Sequence, residues 1–236
     1  MSKDSSADEA QARIVAARLK LRERFLDRIK RSPSMADPQP LGSGSPNRHG
    51  MPKIPIGQTP TTPGKWPVLD LGQAPKILQQ EWRLEVVGEC DNPCTFDWQS
   101  FLQLEQVEDI SDFHCVTGWS KLDVPWQGVR LSTVLAVAEP NEHAKYVVFL
   151  AYDGYTTNIP LTEALKDDVL LVHRAEGEPL PLEHGGPVRV ITPQLYAWKG
   201  AKWVRRIELT RVDRPGFWER NGYSNTAHPW RNDRYG

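Results

Sequence analysis

Residues 7–31 contain neither Pro nor Gly, and Val15, Leu19, Leu26 and Ile29 recur near the spacing of one helical face, which predicts an amphipathic helix with a weak apolar stripe. Its charge is net positive, so a docking or nucleic-acid arm stands beside a plain solvated leader helix as its reading. Residues 32–64 hold eight Pro and five Gly with little periodicity, and are expected to run extended over a surface as a linker and wrapping arm. Beyond Gly64, short apolar runs are bounded by turn residues. Residues 82–88 alternate as a half-buried strand, Asp91-Asn92-Pro93 marks a turn, and residues 96–104 and 132–138 read as short helices, the second with Ser132 near its N-cap. Continuous apolar runs at 146–152 and 169–174, together with 187–191 and 202–210, supply further strands.

Strands and helices therefore mix without regular βαβ alternation, and no Gly-rich phosphate fingerprint follows a strand. That pattern predicts a mixed, β-rich α+β fold and argues against a dinucleotide-binding domain. The organisation expected is an N-terminal helix and Pro/Gly-rich linker over residues 1–50, then one domain over residues 51–236. Composition narrows the function classes. With 29 Lys and Arg against 30 Asp and Glu, the net charge of -1 gives no general attraction to nucleic acid or an acidic membrane. The apolar runs are far shorter than the roughly 20 residues of a bilayer span. Three cysteines, odd in number, fit a reducing compartment, and the charged N-terminus has no apolar h-region or twin-arginine signal, so a cytoplasmic location is expected.

Three segments carry candidate chemistry. In Asp112-Phe113-His114-Cys115-Val116-Thr117-Gly118-Trp119 a single thiol is followed by small and aromatic residues, and Cys115 reads as core filler, nucleophile or metal ligand. Adjacent strand positions face opposite ways, so His114 is poorly placed to activate it. Cys90 and Cys94 flank a Pro turn as a conceivable zinc pair, without a second pair at zinc spacing. Between His184 and Arg214 there are seven Lys or Arg and two acids. There, His184-Gly185-Gly186-Pro187-Val188-Arg189 and Lys199-Gly200-Ala201-Lys202 place cations around open backbone, which suits a phosphate; a solvated basic strand edge is the plainer reading. The polar hairpin at Tyr152-Asp153-Gly154-Tyr155-Thr156-Thr157-Asn158 suits a pocket mouth, although turn chemistry alone explains Asp-Gly.

Taken together, these segments resemble the sulfite oxidase family of molybdopterin-dependent oxidoreductases, in particular its short, soluble bacterial members. The likeness covers residues 65–236 and adds Gly64-Lys65-Trp66-Pro67-Val68-Leu69, Tyr196-Ala197-Trp198-Lys199-Gly200-Ala201-Lys202-Trp203 and Asp213-Arg214-Pro215-Gly216-Phe217-Trp218-Glu219, all in family order. The resemblance implies that Cys115 supplies the one protein thiolate to molybdenum in a molybdenum–molybdopterin cofactor. It also implies that His184, Arg189, Lys199, Gly200, Ala201 and Lys202 hold the pterin and its phosphate, with Lys65, His114 and Thr117 as lesser contacts and Tyr155 beside the reacting oxygen. The function it implies is oxygen-atom transfer to or from a small sulfur- or nitrogen-containing substrate. The family's haem-binding and immunoglobulin-like modules have no counterpart here, so a separate electron-transfer protein is expected. The competing class is a Trp-rich module without catalysis, stacking sugars or another ligand on Trp119, Trp126 and Trp198; it leaves the clustered lysines unexplained.

Overall fold

A computed structural model of the chain describes residues 3–30, 40–72 and 74–236; within 3–30, side chains are described at 9–21, 23 and 24. In chain order, helix α1 (Lys3–Lys30) precedes strands β1 (Gly42–Pro46), β2 (Pro52–Pro55), β3 (Thr59–Pro60), β4 (Arg83–Gly88) and β5 (Cys94–Asp97). Helix α2 (Trp98–Gln103), the hairpin β6 (Val107–Cys115) and β7 (Trp119–Arg130), helix α3 (Leu131–Ala138) and strands β8 (Tyr146–Ala151) and β9 (Thr156–Pro160) follow. The chain closes with α4 (Leu161–Ala164), β10 (Leu170–Ala175), β11 (Glu178–Pro179), β12 (Arg189–Ile191), β13 (Val204–Thr210) and α5 (Phe217–Arg220). No helix among the described residues is long and apolar enough to cross a membrane.

Two mixed sheets build the body. One runs β5-β4-β13-β8-β9, with β13 parallel to β4 and antiparallel to β8. The other runs β11-β10-β7-β3, with β6 paired to β7 and β12 to β10. Strand β4 follows its alternation: Leu84 and Val86 are fully buried while Arg83 is exposed. The apolar run of β10 is continuous because both its faces are covered. Leu171 enters the main core with Val129, Val190 and Tyr196, whereas Leu170 and Val172 enter a second cluster with Trp126 and Ile191.

Three expectations change. Helix α2 begins only at Trp98, because Cys94–Asp97 pairs with β4 and Asp97 then caps the helix, accepting from Ser100 N at 2.9 Å. Helix α3 has Arg130 at its N-cap with no side-chain cap bond, so Ser132 lies inside the first turn. From residue 40 the expected linker is structured: β1 and β2 form an antiparallel pair, and β3 adds to the second sheet parallel to β7. Residues 31–39 lie outside the described set.

Candidate functional site

Cys115 is the last residue of β6, opposite Trp119 across a tight turn in which Gly118, at φ +99°, donates its N–H to the Cys115 carbonyl at 3.0 Å. The thiol lines a cleft of about 840 Å³, counting the space open at its mouth, the size of a small-molecule or cofactor site. Phe113, Thr117 and Trp119 come from the same hairpin, Asp153 and Tyr155 from the β8–β9 turn, and His184 and Arg189 from the approach to β12. Gly200, Lys202 and Trp203 lead into β13, and residues 66–71 close another wall. Both sheets thus present loop ends to one cavity.

Charge in the cavity is unbalanced. Arg189 is 3% exposed, and its guanidinium reaches only backbone carbonyls, His184 O at 2.9 Å, Gly200 O at 3.3 Å and Val190 O at 3.4 Å, while lying 4.8 Å over the Phe113 ring. Burial lowers it to about 10. Lys202 donates to Glu183 O at 2.7 Å and stands 4.0 Å from Asp70; burial, then the Arg189 charge, lower its ammonium to about 8. A buried guanidinium with no carboxylate partner among the described residues calls for an anion from outside. His184 stacks on Trp66 at 3.9 Å and 8°, and burial, with Arg189 and Lys202 beside it, lowers it to about 4, so it is neutral at pH 7.

The backbone is cut to this cradle. A Cβ on Gly185 would stand 2.9 Å from Arg189 Cβ and 3.0 Å from Lys202 Cβ, and one on Gly200 would stand 2.5 Å from Val190 O. His114 lies just outside, on a small cleft that shares Phe113, Ala197 and Gly200 with the cavity. Its partners settle its tautomer: Gln58 Nε2 donates to Cys115 O, Ser120 Oγ donates to Gln58 Oε1, and so His114 Nδ1 donates to Ser120 Oγ at 2.8 Å. The His114 Nε2 atom remains a buried acceptor with no partner among the described residues, and burial lowers the ring to about 3.

The structure therefore brings Cys115, Thr117, Tyr155, His184, Arg189, Gly200 and Lys202 to one cavity, with His114 adjoining. The other expected contacts lie elsewhere. Lys199 is fully buried in an ion pair with Glu219 at 2.7 Å and donates to Asn158 O at 2.9 Å, so its charge is already neutralised within the core. Lys65 is exposed beside the lining residue Trp66, and Ala201 is a buried backbone partner whose carbonyl accepts from Val190 N. Tyr155 presents its ring, but its hydroxyl donates to Trp198 O at 2.5 Å, and burial holds the phenol well above its ordinary value. Sequence reading missed Trp66 as a stacking partner and Arg18 of α1 as a lining residue; both rest on contacts between distant segments that no local pattern encodes.

Chemically, a buried thiol suits ligation better than attack. Desolvation raises Cys115, against bonds from Thr117, 3.1 Å away at Oγ1, and the charges of Arg18 and Arg234. Such a thiol is a poor nucleophile until a cation draws off its proton. Zinc at Cys90 and Cys94 finds no support, since no group of three metal-ligating side chains occurs among the described residues. The sugar-stacking reading loses its surface, because Trp126 and Trp198 are 1% and 8% exposed and the half-buried Trp119 lines the same cavity as the thiol instead of an open face.

Comparison with known proteins agrees. Residues 71–218 match the family model described as oxidoreductase molybdopterin binding domain. The chain is 43% identical over 184 residues to the oxidoreductase YuiH of Bacillus subtilis, covering 78% of this chain and 92% of that protein. It is 32% identical to the catalytic subunit of the protein-methionine-sulfoxide reductase MsrP from Gluconobacter oxydans, over 59% of this chain and 50% of that protein. The same subunit from Burkholderia mallei is again 32% identical, over 62% of this chain and 49% of that protein, so the match spans about half of each MsrP relative. The sulfane dehydrogenase SoxCD of Paracoccus pantotrophus shares the fold, with a TM-score of 0.56 and 23% identity over 63% of this chain and 42% of that one.

Proposed function

Because this chain belongs to the molybdopterin-binding oxidoreductases of the sulfite oxidase family, we propose that it transfers an oxygen atom to or from a small sulfur- or nitrogen-containing substrate. It is an enzyme, and its cofactor is molybdenum–molybdopterin. The observation that carries the finer reading is the coexistence, in one cavity, of a buried thiol and a buried guanidinium that has no carboxylate partner among the described residues.

The residues fit the group. Cys115 would be the thiolate ligand, its raised proton affinity overcome by the metal's charge. Arg189 and Lys202 would hold the phosphate, Gly200 leaves backbone open beside it, and the unpartnered His114 Nε2 offers an acceptor to a pterin N–H. When bound, the cofactor supplies a centre that exchanges one oxygen atom and two electrons with substrate. The chain's part is to orient that centre, with His184 braced on Trp66 and Tyr155 fixed through Trp198 O, and to narrow access to it with aromatic walls.

Oxidation of a sulfite-type substrate would take its oxygen from water and release two protons and two electrons; the reverse would consume them and release water. A separate electron-transfer protein would carry the electrons. The MsrP relatives make methionine sulfoxide the first reducible substrate to try. Three free cysteines agree with the cytoplasmic location we favour. The test is a dye-linked screen of the molybdenum-loaded protein, with sulfite against an oxidised dye and methionine sulfoxide or an amine N-oxide against a reduced one. Turnover of one of these, lost in a folded Cys115→Ala variant, supports the reading. A loaded protein inert toward all of them, or a variant at full activity, contradicts it.

A further inference from the structure

Helix α1 is not a free leader. Ala10, Gln11, Ile14, Val15, Arg18 and Leu19 are half-buried while the residues between them are exposed, which is one helical face laid on the body. Its seat is the segment that walls the cavity. Gly72, at φ +96°, approaches so closely that an added Cβ would stand 3.3 Å from Ile14 Cδ1 and 3.9 Å from Ala10 Cβ. One turn further along the same face, Arg18 lines the cavity together with Cys115, Trp218 and Tyr223.

The cavity is therefore lined by three cations. Lys202 stands near Asp70, Arg189 lies over Phe113 within reach of the Cys115 charge, and the charge of Arg18 acts on the same thiol. Two carboxylates oppose these three cations: Asp70, near Lys202, and Asp153, whose side chain accepts from Tyr155 N at 2.9 Å. Once a cofactor phosphate has taken Arg189 and Lys202, Arg18 is the cavity-lining cation that remains, and no carboxylate among the described residues pairs with it; Arg234, whose charge also acts on the thiol, donates to the Val116, Ile56 and Gly57 carbonyls.

We propose that Arg18 is a specificity-determining residue, which helix α1 carries to the wall of the Cys115 cavity so that small anions are admitted in preference to neutral molecules. The substrate class this implies is an anionic sulfur compound or one bearing a carboxylate; that step rests on the oxygen-transfer reading above, whereas the anion preference itself does not. A guanidinium on a helix face offers a forked donor to an oxyanion and a local positive potential to its approach. The seat at Gly72 fixes how far Arg18 reaches.

The test uses the full-length, cofactor-free chain. Cys115 is alkylated with anionic iodoacetate and with neutral iodoacetamide at one pH, and each rate is read from the Cys115 peptide by mass spectrometry, apart from Cys90 and Cys94. Since any change in thiol ionisation affects both reagents alike, their ratio isolates charge selection. Arg18→Gln, conservative in helix propensity, is expected to lower the iodoacetate-to-iodoacetamide ratio about 3- to 10-fold, with Arg18→Lys retaining most of it. High salt is expected to shrink the wild-type ratio toward that of the Gln variant. Ile14→Asp, which unseats the helix, is expected to lower the ratio and raise the iodoacetamide rate. An unchanged ratio in Arg18→Gln, or equal changes in both rates, overturns the proposal without touching the cofactor assignment. In loaded enzyme, a rise in KM for an anionic substrate but not for a neutral sulfoxide would extend the role to turnover.

Discussion

Single residues divide into those that face the cavity with unmet demands and those already satisfied inside the fold. Lys202 belongs to the first group. Burial and Arg189 lower its ammonium to about 8, so it is mostly charged at pH 7 and mostly neutral at pH 9. Sulfate, whose own charge is constant over that range, should therefore bind the cofactor-free protein roughly tenfold more weakly at pH 9 than at pH 7, one charge-assisted contact being lost. Calorimetric titration checks this; Lys202→Met should bind weakly at both pH values, and a wild-type affinity that ignores pH would remove Lys202 from the anion site. Lys199 belongs to the second group. Lys199→Met would leave the Glu219 side chain, 2% exposed, without its cation, and should cost about 3–5 kcal/mol in urea unfolding while folded molecules still bind a full complement of cofactor. Sequence could find both lysines but could not sort them, because the distinction lies in Glu219, which approaches from beyond β13.

At the scale of elements, loops positioned by paired strands bring the site together. The hairpin β6–β7 sets Cys115 at its tip, and the segment between β12 and β13 folds back so closely that Gly200 touches the Val190 carbonyl. Gly200→Ala would drive a methyl to 2.5 Å from that oxygen, and should cost about 1–3 kcal/mol of stability and reduce cofactor loading. Thermal melts with metal analysis of the same preparation would show both; a variant with normal loading would mean that the close approach does not shape the cradle. Strands with clear alternation, such as β4, or a continuous apolar run, such as β8, are legible in the amino-acid sequence alone. The β6–β7 pair is not, because its exposed positions, including Ile110 at 61%, break the alternation. Short strands between prolines at residues 42–60 are hidden too: β1 and β2 pair with each other through Pro- and Gly-rich positions without apolar alternation, and β3 pairs at long range beside β7.

Across the whole molecule, two sheets, a structured entry segment and helix α1 enclose one cavity in which a thiol and an anion cradle face the same space. The order of short motifs along the chain is enough to indicate the family and the cofactor, since each motif is a loop that the fold must return to this cavity. Chain order carries no sign that the N-terminal helix returns there too, because its seat is made by contacts between distant segments, such as the close approach of Gly72 to Ile14. The central claim is that Cys115 bonds the metal whose organic tail Arg189 and Lys202 grip. X-ray absorption at the molybdenum edge tests it most directly, comparing the loaded wild type with Cys115→Ser. Molybdenum is expected in both, with one sulfur fewer around it in the variant. A wild type without molybdenum, or a variant with its sulfur shell intact, would contradict it.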